Sequence, residues 1–142
     1  MATLERAILL AAQAHEGQID KAGEPYILHP LRIMLRMTTP TAMTVAVLHD
    51  VVEDTRVTPE MLRGEGFSEG VLETLDCLTR RKDEDYDTYI ERIKSNPEAV
   101  RVKIADLEDN MDIRRIADLR ETDLERLKKY HRAWLALAGR GK

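Results

Sequence analysis

A chain of 142 residues with 43% hydrophobic and 34% charged side chains is long enough to bury one core as a single domain over residues 1–142. Its 26 acidic and 22 basic residues leave a formal charge of −4, which argues against a nucleic-acid-binding face built on clustered cations but leaves room for a small anion beside a bound cation. The only cysteine, Cys77, excludes an intramolecular disulfide framework and a thiolate metal cluster, and it reads as a buried helix residue.

The first residues, MATLERAILLAAQ, lack a basic start ahead of a long apolar run and do not read as a signal peptide. Since no apolar run approaches the roughly 18 residues of a membrane span, a cytoplasmic protein without a membrane partner is expected. Leu4, Ala7, Ile8, Ala11 and Ala12 recur at helical spacing, with Thr3 placed to cap them. Gly17, Gly23 and Pro25 then interrupt the pattern. Pro30 suits a first helical position, which puts His29 in the turn ahead of the helix.

A buried, mostly apolar helix is predicted from Thr41 to about Val52. Thr58-Pro59 and Asn96-Pro97 are cap-plus-proline helix starts. Between them lie a turn at Gly64 and Gly66, a helix over Ser68–Thr79, a charged RRKDED connector, and a helix from Tyr86 to Ile93. Thr122 and Glu125 form a capping-box pattern for a last helix running to about Ala138. On it, Leu124, Leu127 and Trp134 have the spacing of a core stripe. Neither strict alternation nor hairpin turns occur. The expected fold is all-α, one compact bundle of about seven or eight helices.

Chemistry concentrates in AMTVAVLHDVVEDT, where His49, Asp50, Glu53 and Asp54 follow an apolar stretch. Read as one helix, it sets His49 and Glu53 a turn apart, and likewise Asp50 and Asp54. Three carboxylates near a helix C-terminus repel one another and oppose the dipole, a cost that a divalent cation relieves. A solvated acidic helix end is the ordinary alternative. His15 continues the first apolar face, where a satisfied core histidine is the commoner case. Asp106, in VRVKIADLEDNMDI, sits among Val102, Ile104 and Ala105 and needs a partner, either Lys103 or a backbone group. His131 is left over on the last helix as a surface or packing residue.

The segments AHEGQ, GEPYILHP, AVLHDVVEDT and KIADLEDN, in this order, resemble the HD-domain hydrolases of the RelA/SpoT type, including small stand-alone forms such as the metazoan SpoT homologues. The resemblance implies one divalent metal ion, manganese, held by His15, His29, His49, Asp50 and Asp106. It implies that Glu53 and Asp54 handle the attacking water. It further implies a small phosphorylated nucleotide as substrate, with Lys21 and Asn110 binding it, and removal of the 3′-pyrophosphate of guanosine tetra- or pentaphosphate. Imidazole and carboxylate ligands suit manganese, and equally iron, cobalt, nickel or zinc.

The substrate side departs from the family pattern. Asp20 stands where the family has an arginine that stacks on guanine, and Ala22 replaces a small polar residue. Leu107 and Asp109 replace the family's arginine and histidine, which predicts less positive surroundings for phosphate. Arg80, Arg81 and Lys82 could meet phosphates, and Tyr86 or Tyr89 could stack on a base. A solvated basic turn and helix packing are the favoured explanation. Two alternatives stay open: a hydrolase of another phosphorylated metabolite, such as the 2′-phosphate of NADPH, and a non-catalytic nucleotide-binding module that keeps the metal for folding.

Overall fold

The computed structural model describes residues 2–139. Its helices are α1 (Leu4–Ala14), α2 (Leu28–Leu35), α3 (Pro40–Leu48), α4 (Val51–Asp54), α5 (Pro59–Gly64), α6 (Glu69–Leu78), α7 (Tyr86–Ile93), α8 (Pro97–Asn110) and α9 (Glu121–Leu137), with a 3-10 turn at Ile113–Arg115. Among the described residues there is no strand, only an isolated bridge between Ile19 and Pro25. No helix among them is long and apolar enough to cross a membrane.

Local chemistry accounts for the helix starts. The hydroxyls of Thr3, Thr39, Thr58 and Ser68 and the side-chain oxygens of Asp85 and Asn96 each accept a hydrogen bond from a backbone N–H in the first turn that follows. Pro40, Pro59 and Pro97 fall in that first turn, where an N–H has no helical partner to lose. The last helix differs from expectation. It starts at Glu121, and the Asp123 carboxylate accepts from the Arg120 N–H at 2.9 Å, so the Thr122–Glu125 pair does not cap it. An ionised acceptor at a helix N-terminus is favoured by the dipole as well as by the hydrogen bond.

His29 is also placed differently. Helix α2 begins at Leu28, so His29 and Pro30 both lie inside its first turn. Proline is tolerated there because the first four N–H groups of a helix are unpaired in any case.

Helix α3 is the centre of the molecule. Ala42, Thr44, Val45, Ala46, Val47 and Leu48 are all buried, the pattern of a helix covered on every side. It packs against α1, α2, α6 and α8, and α9 lies across α8 and α7. Leu107 is fully buried in this core, so it presents no surface to a phosphate. Cys77 is buried as expected. The proposed stripe on α9 is only partly core: Leu127 and Trp134 are half-buried, while Leu124 is 41% exposed.

The predicted helix from Thr41 to Val52 is broken. Helix α3 ends at Leu48, Asp50 takes φ −120° and ψ 11°, and the short α4 begins at Val51. This break divides the one predicted helix into α3 and the four-residue α4. Its physical consequence is directional. Consecutive side chains on an unbroken helix diverge by about 100°, so His49 and Asp50 could not face one point. The break lets them do so.

Candidate metal centre

Three imidazoles converge from different segments, and each is fixed through its Nδ1. His15 caps the C-terminus of α1. The chain then turns through Gly17 at φ +85°, a conformation glycine adopts without strain, and returns Gln18, whose Oε1 lies 2.7 Å from His15 Nδ1. The other end of that amide donates to the Asp54 carbonyl oxygen at 3.3 Å. His29 Nδ1 lies 2.6 Å from Asp109 Oδ2. His49 Nδ1 donates to the Ala46 carbonyl oxygen at 2.7 Å. Acceptors at all three Nδ1 atoms leave the Nε2 lone pairs for a shared centre, the arrangement that orients metal-ligating histidines.

The Nε2 atoms and two carboxylates close up around that centre. His15 Nε2 is 3.3 Å from Asp50 Oδ1, and His49 Nε2 is 3.8 Å from Asp50 Oδ2. Asp106 Oδ1 lies 3.4 Å from His49 Nε2 and 2.8 Å from His29 Nε2. Donor atoms about 2.1 Å from one ion sit roughly 3 to 4 Å apart around it. Ligand atoms of His29, His49 and Asp50 all fall within 4.8 Å of one another. His15 Nε2 and Asp50 Oδ1 are buried and have no hydrogen-bond partner, which a shared cation would remedy. This His/Asp cluster could bind a metal ion.

The surroundings hold the carboxylates ionised. Burial opposes the charge on Asp106, but Lys103, 2.7 Å from Oδ2, and His49 outweigh it and push its pKa well below the usual carboxylate range. Asn110 Nδ2 donates to the same carboxylate at 3.1 Å. Asp50 is likewise lowered against its burial, by His49, His15 and the Tyr26 hydroxyl that donates to Oδ2. Burial also opposes a charged His49, yet Asp50 and Asp106 raise its pKa to about 9. Without an ion His49 is therefore a proton-bearing imidazole paired with carboxylates.

Glu53 and Asp54 lie at the exposed end of α4. Glu53 Oε1 accepts from the Arg80 backbone N–H at 2.9 Å. Burial, then the charges of Asp50 and Glu53, raise the pKa of Asp54. Beside His29 opens a cavity of about 440 Å³, within the range of small-molecule sites. Tyr26, Asn110 and Tyr130 line it, with apolar side chains such as Ile19 and Ile116 and the cations Lys21, Arg32, Arg115 and Arg126.

Asp20 borders the same cavity, but its Oδ1 accepts from the N–H groups of Ala22 and Glu24, each at 2.9 Å. It closes the turn. Asp109 borders the cavity too, as an anion among its cations. It is buried, and beyond His29 it takes both the Nε and an Nη of Arg32, at 2.8 and 3.0 Å. The sequence alone does not single out Gln18, Tyr26 and Arg32 as members of the site; their nearness to the ligands in sequence is the one signal that points to them. Tyr89 is packing, with its hydroxyl donating to the Leu78 carbonyl oxygen at 2.6 Å. Arg81 pairs with Asp76, Lys82 is exposed, and so is His131.

No protein-family model matches the chain. Individual relatives do. A protein of Aquifex aeolicus named guanosine-3′,5′-bis(diphosphate) 3′-pyrophosphohydrolase is 33% identical over 118 residues, covering 77% of this chain and 17% of its own length. The bifunctional (p)ppGpp synthase/hydrolase SpoT of Escherichia coli K12 is 35% identical over 141 residues, covering 89% of this chain. The chain is thus similar in sequence to part of these RelA/SpoT-type proteins. The matched region spans between 17% and 20% of the length of those two relatives. A solved structure described as a metazoan ortholog of SpoT that hydrolyzes ppGpp superposes with a TM-score of 0.77 at 21% identity, covering 99% of this chain and 88% of that one. The all-helical HD-domain fold is thereby shared.

Proposed function

We propose that this chain is a cytoplasmic, manganese-dependent phosphohydrolase that removes the 3′-pyrophosphate of guanosine 3′,5′-bis(diphosphate), the reaction in the names of its relatives. One observation carries the reading: three imidazoles locked through Nδ1 face two carboxylates at the edge of a nucleotide-sized cavity. His15, His29, His49, Asp50 and Asp106 would hold the ion, a nitrogen and oxygen set that manganese accepts.

When bound, the ion would supply Lewis acidity toward a phosphoryl oxygen and a lowered pKa for water. The chain's own groups do the rest. Asp54, whose proton affinity is raised by its neighbours, takes a proton from the attacking water. Glu53, held through one oxygen by the Arg80 N–H, orients that water with the other. The water oxygen bonds to the 3′-phosphorus, the bond from phosphorus to the 3′-oxygen breaks, and the released oxygen takes up a proton. Asn110 links Asp106 to the sugar. Lys21 and Arg126 meet the remaining phosphates, and Tyr26 and Tyr130 flank the nucleoside.

The test is turnover by manganese-loaded protein against guanosine tetraphosphate, NADPH and common nucleotides, beside Glu53→Gln and Asp54→Asn. Pyrophosphate release from guanosine tetraphosphate that drops at least about a hundredfold in both variants supports the assignment. Release of no phosphate or pyrophosphate from any of these compounds would falsify it.

A further inference from the structure

Around the ring of Tyr86 the protein collects more positive charge than it neutralises. Lys129 Nζ stands 4.7 Å from the ring centre, Lys103 Nζ 5.9 Å and the Arg80 guanidinium carbon 5.9 Å. These cations come from α9, α8 and the connector after α6, so no single helix surface accounts for the cluster. Lys103 has a carboxylate partner, Asp106, at 2.7 Å. Arg80 directs its Nε to the Glu84 carbonyl oxygen. Among the described residues neither Arg80 nor Lys129 is in an ion pair. Lys129 rests instead between two aromatic rings, with Tyr130 at 5.4 Å.

A second observation points into the same spot. The Tyr86 hydroxyl is buried and has no hydrogen-bond partner. Buried donors are nearly always satisfied, and an exception asks for a missing acceptor. Cations that repel one another around a ring whose hydroxyl is unused have one chemical complement: an anion with several acceptor oxygens. Asp106, a proposed metal ligand, is tied to the cluster through Lys103, and Tyr130 joins it to the nucleoside cavity.

We infer that Lys129 and the Tyr86 hydroxyl, with Arg80, form a diphosphate-binding subsite beside the metal centre. The ammonium pairs with phosphoryl oxygen and the hydroxyl donates to it. The assignment of this subsite to the departing diphosphate rests on the proposed reaction; its affinity for a diphosphate does not.

The experiment is calorimetric titration of manganese-loaded protein with inorganic pyrophosphate, comparing wild type with Lys129→Met, Lys129→Arg and Tyr86→Phe. Lys129→Met keeps the aliphatic stem, and Tyr86→Phe removes one oxygen, so neither should disturb packing. Loss of a charge-assisted bond is expected to weaken pyrophosphate about tenfold or more in Lys129→Met and about fivefold in Tyr86→Phe, with Lys129→Arg within about threefold of wild type. Unchanged affinity in Lys129→Met, with metal content and melting temperature also unchanged, overturns the subsite. Pyrophosphate binding needs no turnover, so the two readings fail separately. A chain that hydrolyses no nucleotide but needs Lys129 for pyrophosphate loses the reaction and keeps the subsite. A chain that hydrolyses guanosine tetraphosphate while Lys129→Met binds pyrophosphate normally loses the subsite alone.

Discussion

Asp109 and His29 are 80 residues apart in sequence, yet the Asp109 carboxylate lies 2.6 Å from His29 Nδ1 while also holding Arg32. The pair fixes the ring so that its other nitrogen faces Asp50 and His49. Asp109→Asn keeps the shape and removes the charge. The expected result is a folded protein whose manganese affinity falls about 10- to 100-fold, read by metal titration. Metal affinity equal to wild type would remove Asp109 from the site.

The metal-free chain should lose stability as pH rises. His49 is raised from 6.5 to about 9 in the folded state, so its contribution is fully present below pH 6.5 and disappears as pH climbs through about 9. Protons and metal compete for the same imidazoles, so metal affinity should move the other way and increase over that interval. Calorimetric melting between pH 6 and 9.5, with chelator and with manganese, measures both. A metal-free melting temperature that rises across this window contradicts the assignment.

Gly17 and Gly64 should respond oppositely to alanine. A Cβ at either position meets nothing within 4 Å, but Gly17 has φ +85° and Gly64 closes α5 without a positive φ. Gly17→Ala is expected to cost about 1–2 kcal/mol and to weaken metal binding through Gln18. Gly64→Ala is expected to stabilise by about 0.5–1 kcal/mol. Urea denaturation of the two variants decides, and equal effects would mean that backbone conformation at Gly17 carries no strain.

Tyr86→Phe should raise the melting temperature of the ligand-free protein, because it deletes a buried hydroxyl with no partner. A tyrosine kept for structure alone would lose stability on the same change. Differential scanning calorimetry without added anion separates the two.

Much of this was legible from residue types and local spacing. Asn96, Thr58 and Thr3 announce helix starts through chemistry complete within four residues, and the structure places all three as caps. The types of the clustered histidines and aspartates were equally visible. Two kinds of feature were not. The break at Asp50 leaves no local mark, since Leu48 to Val52 is compatible with continuous helix; tertiary demands on two adjacent side chains decide it. Pairings such as His29 with Asp109 depend on α2 and α8 lying side by side, which no pattern within either segment encodes. Leu107 and Asp109 are of the same kind: nothing within their own segment marks either as buried, and both are.

The five clustered side chains come from positions 15, 29, 49, 50 and 106, the first at the C-cap of α1 and the last within α8. An ion shared among them would tie the chain into nested loops, as a disulfide does in a secreted domain. Closing a loop of this length removes unfolded-state entropy of about 4–5 kcal/mol at 25 °C. With one cysteine in the sequence, the metal would be this protein's removable cross-link, and free metal concentration would govern its resistance to unfolding.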